Sequence, residues 1–254
     1  MSIDLNCDMG ESFGAYRIGM DEEVIRYITS ANVACGWHAS DPMVMDRTVR
    51  MAADYGVGVG AHPGYPDLLG FGRRNMECTG EEIRNYVIYQ IGALQAFCAA
   101  HGVRLHHVKP HGSLYNTAVE NETVARGIAE AIVSVDPELI FVVLAGARGE
   151  LVGRIGRELG LRVAYEAFPD RAYTPVGTLM PRKEAGAVIR DPDAVAERAL
   201  RMASEGVVVA SDGSVIPLKP QTLCVHGDTP LAVDLVRRIR EVLENKGIDL
   251  RPIE

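Results

Sequence analysis

Seven times along the chain a short apolar run breaks into a loop carrying Gly, Pro, His and acidic residues, and a segment of helical periodicity follows. The runs are residues 3–7, 30–35, 57–60, 103–108, 139–145, 161–165 and 221–225. Strands that alternate with helices lie parallel, because each helical crossover returns the chain to the same end of the sheet. The helical segments carry their own start signals. Asp21-Glu-Glu opens one with acids in its first turn, Pro42 stands at a first helical position behind Ser40 or Asp41, and Thr79-Gly-Glu-Glu82 has capping-box spacing ahead of a helix to about residue 101. Further helices are expected over 122–135, up to 159, over 192–205 and up to 243, while 206–210 and 215–219 read as a hairpin around Ser211-Asp-Gly-Ser214. No linker or low-complexity run divides the 254 residues, a length at which α/β barrels form one domain, so a single catalytic domain over 1–254 is expected. Barrel-like closure suits seven units, with an open doubly wound sheet as the alternative.

The net charge of −8 and a pI near 5.4 exclude a nucleic-acid or anionic-membrane surface, which needs a basic face. Apolar runs such as 139–145 are strand-length and far short of a membrane span. The N-terminus shows neither a basic nor an apolar leader region, so a cytoplasmic protein is expected. Five cysteines at 7, 35, 78, 98 and 224 form no CxxC pair and read as reduced, buried small hydrophobes.

In parallel α/β folds the loops after the strands gather on one edge, where sites form. Here those loops bring Asn6, Asp8 and Glu11, then His38 and Asp41, His62 and Asp67, Lys109 and His111, Glu166, Asp170 and Arg171, and lastly His226 and Asp228. Asp41, Asp170 and Asp228 also read as caps, Asp67 as a turn residue, and His38 or His226 as structural histidines. Arg73 and Arg74, in a Gly-rich loop, could clamp a carboxylate or phosphate. The densest stretch is Val108-Lys-Pro-His-Gly-Ser-Leu-Tyr-Asn116, where strand alternation puts His107, Lys109 and His111 on one face and His106 on the other, and Pro110 with Gly112 ends regular structure. Imidazoles and carboxylates around a lysine suit acid-base hydrolysis of a polar, anionic small molecule. Asp8 with His107-x3-His111 would also make a ligand set for a divalent ion. No GxxxxGK[ST] or GxGxxG is present, which argues against a P-loop and a dinucleotide site; Gly10-Glu-Ser-Phe-Gly14 has GxSxG spacing but lies in a loop well ahead of the helix expected from Asp21, so it does not make the strand-to-helix elbow that a serine nucleophile needs.

Seven of these motifs stand together in order: Leu5-Asn-Cys-Asp-Met-Gly-Glu11, Ser30-Ala-Asn-Val-Ala-Cys-Gly-Trp-His38, Gly60-Ala-His-Pro-Gly-Tyr-Pro-Asp67, Phe71-Gly-Arg-Arg74, Val108-Lys-Pro-His-Gly112 with Leu114-Tyr-Asn116, Glu166-Ala-Phe-Pro-Asp-Arg-Ala-Tyr173 and Val225-His-Gly-Asp228. As a set the sequence resembles the LamB/YcsF family, the A component of bacterial ATP-dependent 5-oxoprolinase. Its departures, Ser40, Gly64 and Ser113, remove no charged or imidazole group. The resemblance implies a seven-stranded deformed (β/α) barrel of the glycoside hydrolase/deacetylase type. It also implies cleavage of 5-oxo-L-proline to L-glutamate coupled to hydrolysis of ATP, the co-substrate with Mg2+, to ADP and phosphate, together with partner subunits B and C. On that reading Asp8, His62, Lys109, His111 and Glu166 are catalytic, and Asn6, Glu11, His38, Arg73, Arg74, Arg171 and His226 bind substrate or phosphate. Lys109 and one arginine would hold the substrate carboxylate or phosphoryl group, Asp8 and Glu11 the Mg2+. His62 or His111 would be the base, with Glu166 orienting it or acting as acid. The alternatives are a metal-dependent amide or acetyl hydrolase of the same barrel class, and a non-catalytic substrate-binding component.

Overall fold

In the computed structural model, which describes residues 1–227 and 231–254, the chain runs β1 (Ser2–Met9), α1 (Asp21–Val24), β2 (Ser30–Ala34), α2 (Pro42–Tyr55), β3 (Gly58–His62), α3 (Gly80–Ala100), β4 (Leu105–Val108), α4 (Gly112–Glu120), α5 (Glu122–Val135), β5 (Ile140–Leu144), α6 (Glu150–Glu158), β6 (Arg162–Ala167), α7 (Pro192–Glu205), β7 (Val207–Val209), β8 (Val215–Pro217), β9 (Thr222–Val225), α8 (Ala232–Asn245) and β10 (Asp249–Leu250). Strands β1 to β6 pair in sequence order and in parallel, β6 pairs with β9, and β9 pairs back onto β1. The sheet therefore closes into a seven-stranded parallel barrel, the closure that suits seven strand-loop-helix units, and the open-sheet alternative falls away. β7 and β8 form the expected antiparallel hairpin outside it. The short β10, which no periodicity in the sequence marks, extends β1 at its N-terminal end.

Local signals set the helix starts. Asp41 accepts from the Met43 and Val44 amides with Pro42 at N1, and Thr79 with Glu82 forms a reciprocal capping box; each such cap contributes about 1 kcal/mol. The first helix is shorter than its acidic start suggests, because tertiary burial of Ile25 and Ile28 is met in a turn instead. A larger difference lies after β4. Pro110 and Gly112 do not end regular structure; α4 begins at Gly112 itself, whose φ of 52° turns the chain, and buries Ser113, Leu114, Tyr115 and Ala118. Burial of that face outweighs the local breakers.

The apolar core lies between barrel and helices, where Leu5, Cys7 and Met9 of β1 join the helical faces. The alternate residues of β1, Asp4, Asn6 and Asp8, take the opposite face, toward the barrel interior, so one wall of the barrel is polar. Asp4 accepts hydrogen bonds from Thr29, Ser30 and Thr222, while Asn6 donates to Glu166 (3.0 Å) and accepts from Asn32 (2.7 Å). Burial pushes the Asp4 carboxyl up to about 6 against the lowering effect of its three hydroxyl donors. His107 bonds Asn32 Oδ1 through Nε2 (2.8 Å), and its ring occupies the space where any side chain on Gly60 would stand. The β5–β6 wall is apolar instead, with Ile140, Val142, Ala164 and Ile253 clustered. No helix among the described residues is long and apolar enough to cross a membrane.

Candidate active site

At the C-terminal end of the barrel, β1 and β4 place Asp8 and Lys109 face to face. Lys109 Nζ lies 2.8 Å from Asp8 Oδ1 and 3.1 Å from Glu166 Oε1, and all three groups are buried. Burial would discharge the ammonium, but Asp8, Cys224 and Glu166 hold its pKa well above the usual lysine value. Burial likewise works against the Asp8 carboxylate, and His62 and Lys109 nevertheless hold it well below the usual range. Asn32 adds an amide to Asp8 Oδ1 at 2.9 Å. Desolvation keeps Cys7 and Cys224 as thiols, although Cys224 Sγ is 3.0 Å from Lys109 Nζ. A thiolate nucleophile is not what this arrangement builds.

Beside this charged group stand three buried histidines. His62 Nδ1 contacts the Lys109 carbonyl at 2.6 Å, leaving Nε2 facing Asp8 Oδ2 (3.4 Å) and His111 Nδ1 (3.0 Å). His111 Nε2 contacts the Phe71 carbonyl at 2.8 Å. His38 stacks on His111 with ring centroids 3.7 Å apart, and neither of its nitrogens has a hydrogen-bond partner. Burial holds His38 and His111 well below the usual imidazole pKa, so both are neutral. Glu11 Oε1 approaches His38 Nε2 at 3.9 Å and His111 Nδ1 at 3.8 Å. The ligand atoms of Glu11, His38, His62 and His111 all lie within 4.8 Å of one another, a set able to hold a metal ion.

The cover over the histidines is the loop that follows Asp67. Phe71 (φ 54°) and Gly72 (φ 62°) both take left-handed backbone there, and a Cβ on Gly72 would stand 2.7 Å from His38 Cβ and 2.8 Å from His111 Cδ2. Arg73 lies over the Phe71 ring at 4.8 Å. Opposite, Phe168 stacks on His226 and sits 5.4 Å from Lys109 Nζ, and His226 Nδ1 bonds Asp170 (2.8 Å). Tyr115 turns a buried hydroxyl toward Glu166; burial and that carboxylate push the phenol well above its usual pKa.

Thus Asn6, Asp8, Glu11, His38, His62, Lys109, His111 and Glu166 converge, with Arg73 and His226 at their margin. Three expectations need correction. His107 does not join Asp8 and His111 as a metal ligand: it lies deeper in the barrel with Nε2 on Asn32 and Nδ1 on His106 (3.1 Å). The fourfold set uses Glu11, His38 and His62 with His111, because residues at loop positions after four different strands converge more closely than two on one strand. Arg74 is turned outward, its exposed guanidinium paired with Asp67. Arg171 is a loop clamp, donating to the Ala187 and Met180 carbonyls, and burial pushes it down to about 10. Asp41 and Asp67 serve as cap and turn residue, and Asp228 lies outside the described residues. Asn32, Tyr115 and Phe168 lie within three of the seven motifs, yet the sequence alone gives them no role; a lone amide within the apolar run Ala31-Asn-Val-Ala34 is what could have marked the first.

The family model described as LamB/YcsF family matches residues 3–254. Among curated proteins, the 5-oxoprolinase A chain of Natranaerobius thermophilus is 59% identical over 251 residues, covering 99% of this chain and 96% of that protein. The protein of the same name from Pyrococcus abyssi is 55% identical over 254 residues, covering 100% and 98%. Among solved structures, the lactam utilization protein of Thermus thermophilus superposes with a TM-score of 0.94 at 48% identity over 100% of both chains. The catalytic domain of a peptidoglycan N-acetylglucosamine deacetylase from Eubacterium rectale reaches 0.50 at 11% identity over 99% of this chain and 88% of that one, a likeness of fold alone.

Proposed function

Since the chain belongs to the LamB/YcsF family, we propose that it is the A component of an ATP-dependent 5-oxoprolinase, which opens 5-oxo-L-proline to L-glutamate while ATP is hydrolysed to ADP and phosphate. The observation that carries the reading is the buried Lys109 ammonium between Asp8 and Glu166, with Asp8 Oδ2 in turn 3.4 Å from Nε2 of His62. A five-membered lactam is a resonance-stabilised amide, and its opening by water alone is disfavoured. Transfer of the terminal phosphoryl group of ATP to the lactam oxygen makes the ring carbon electrophilic. One water then forms a bond to that carbon as the C–N bond breaks, and a second releases phosphate from the resulting acyl phosphate.

In this scheme Lys109 stands against the negative charge that develops on the reacting oxygens, in a site where water is excluded and each such contact is strengthened. His62, its Nδ1 proton committed to the Lys109 carbonyl, offers Nε2 as the base for water, and Asp8 at 3.4 Å stabilises the imidazolium that results. Glu166 would orient the base or act as the acid toward the leaving nitrogen, with the Tyr115 hydroxyl beside it. Arg73 at the mouth suits the substrate carboxylate. ATP with Mg2+, and partner subunits B and C, complete the proposal; the nucleotide site would be unconventional, shared or on a partner. A metal held by Glu11, His38, His62 and His111 would supply Lewis-acid polarisation of the lactam carbonyl; His62 Nε2 would then be a ligand, and Asp8, whose Oδ2 lies 3.4 Å from it, would take its place as the base for water.

The test is reconstitution with subunits B and C and measurement of L-glutamate and ADP formed from 5-oxo-L-proline. Lys109→Met and His62→Asn should each lower turnover by about 100-fold or more. Wild-type turnover in both variants refutes the assigned roles. The Glu/His cluster favours one rival, a metal-dependent amide hydrolase; lactam or acetamide cleavage by the chain alone, without ATP, would establish it in place of the proposal.

A further inference from the structure

The histidine cluster contains a contact that no pair of neutral imidazoles can satisfy. A carbonyl oxygen only accepts, so the Lys109 carbonyl fixes the proton of His62 on Nδ1 and the Phe71 carbonyl fixes that of His111 on Nε2. With both rings neutral, the remaining nitrogens, His62 Nε2 and His111 Nδ1, carry lone pairs. They point at each other across 3.0 Å, with the rings at 89°. Two lone pairs at that distance repel.

We propose that Glu11, His62 and His111 hold a divalent first-row transition ion, and that His38 is its fourth ligand. Two nitrogens each about 2.1 Å from one ion stand roughly 3.0–3.4 Å apart, which is the spacing found here. Perpendicular rings allow one ion to lie in the plane of both. Glu11 Oε1, 3.8 Å from His111 Nδ1, closes the set after a contraction of a few tenths of an ångström. The two carbonyls that orient the rings are the outer partners that metal-bound histidines ordinarily have. Three imidazoles and one carboxylate suit zinc, iron, cobalt or nickel, whereas magnesium and calcium take oxygen donors.

His38 supplies the independent observation. It is fully buried and neutral, and both ring nitrogens lack a partner, a condition that is costly unless something else binds them. Its ring lies parallel to His111 at 3°, so an ion in the His111 plane is not yet in the His38 plane. His38 joins by turning off the stack. Gly64 and Gly72 hold the space around it, since a Cβ at either would stand 2.7 Å from a His38 atom. Asp8 keeps Oδ1 for Lys109 and Asn32 and turns Oδ2 toward His62 Nε2 at 3.4 Å, beside the set rather than within it.

Metal content tests this without substrate, ATP or partner chains, so its outcome is separate from that of the 5-oxoprolinase reading. Protein purified without chelator should carry close to one equivalent of one transition ion by mass spectrometry. After chelation, Co2+ should restore a visible d–d spectrum. His62→Asn and His111→Asn should each weaken Co2+ binding by about 100-fold, and His38→Ala by about tenfold with a changed band pattern. Near-UV circular dichroism confirms that each variant is folded. A folded wild-type apoprotein that takes up neither Zn2+ nor Co2+ overturns the proposal. So does uptake that the His62 and His111 changes leave unaltered, or a strongly downfield ring N–H signal in metal-free protein, which would show that a shared proton occupies the gap.

Discussion

Replacing Lys109 by Met isolates what the buried ammonium does. Met fills nearly the same volume but leaves the Asp8 and Glu166 carboxylates, which touch Nζ at 2.8 and 3.1 Å, without their shared cation. Their oxygens lie within about 6 Å of each other, and at an effective dielectric near 20 the repulsion between two full charges is about 3 kcal/mol. Removing one partner of a buried pair costs about 3–5 kcal/mol, so Lys109→Met should lose roughly 4 kcal/mol of unfolding free energy at pH 7 to 8. The pH dependence carries the reasoning. In the wild type the depressed Asp8 carboxyl contributes stability above its unfolded pKa that is lost only in strong acid. In the variant the carboxylate pair takes up a proton more readily than in the unfolded chain, so the loss should shrink as pH falls from 7 toward 5. Urea unfolding of both proteins across that range gives the difference, and Asp8→Asn added to Lys109→Met should restore part of it. A loss independent of pH, or below about 1 kcal/mol at pH 7, would mean that Lys109 is held by packing rather than by charge.

Other consequences follow from neighbouring residues. Asp4, pushed up to about 6 by burial, binds its proton more tightly folded than unfolded, so it adds stability at pH 4 that is lost as pH rises through 6; Asp4→Asn should gain relative to wild type by about 2–3 kcal/mol between pH 4 and 7 in urea titrations. Gly60→Ala would drive a methyl into the buried His107 ring and should cost about 1–3 kcal/mol, read as a lower urea midpoint at unchanged slope. Gly72→Ala crowds His38 and His111 at the site's cover, and its loss of Co2+ binding should exceed its loss of stability. Cys7→Ala should leave turnover of the reconstituted complex within about threefold, because burial keeps that thiol protonated.

How much of the fold and site is legible in the sequence depends on whether a residue's role is local. Period, punctuation and caps are local, and they place the strands, Asp41, Thr79 and α7 correctly. Parallel order follows from strand-helix alternation, and with it the edge at which Asp8, Lys109, His62 and His111 meet. Helix α4 is hidden because Pro110 and Gly112 are local breakers, whereas the burial of Leu114 and Tyr115 that sustains it comes from elsewhere in the fold.

Which side chains of that edge share a site, and which only hold its walls, was decided by tertiary structure. Alternation along β4 put His107 on the same face as Lys109, but depth along the barrel, which periodicity does not encode, separated it from His111. Arg74 and Arg171 are cations in the right loops; Asp67 and two backbone carbonyls claim them because an ion pair or a buried clamp forms with whatever acceptor the fold brings near. The sequence by itself determined the parallel order of seven strand-helix units and the residue types at the strand ends. The closure of β9 onto β1 and the carbonyls that fix each imidazole's proton are long-range contacts, and only they turned four scattered residues, Glu11, His38, His62 and His111, into one cluster.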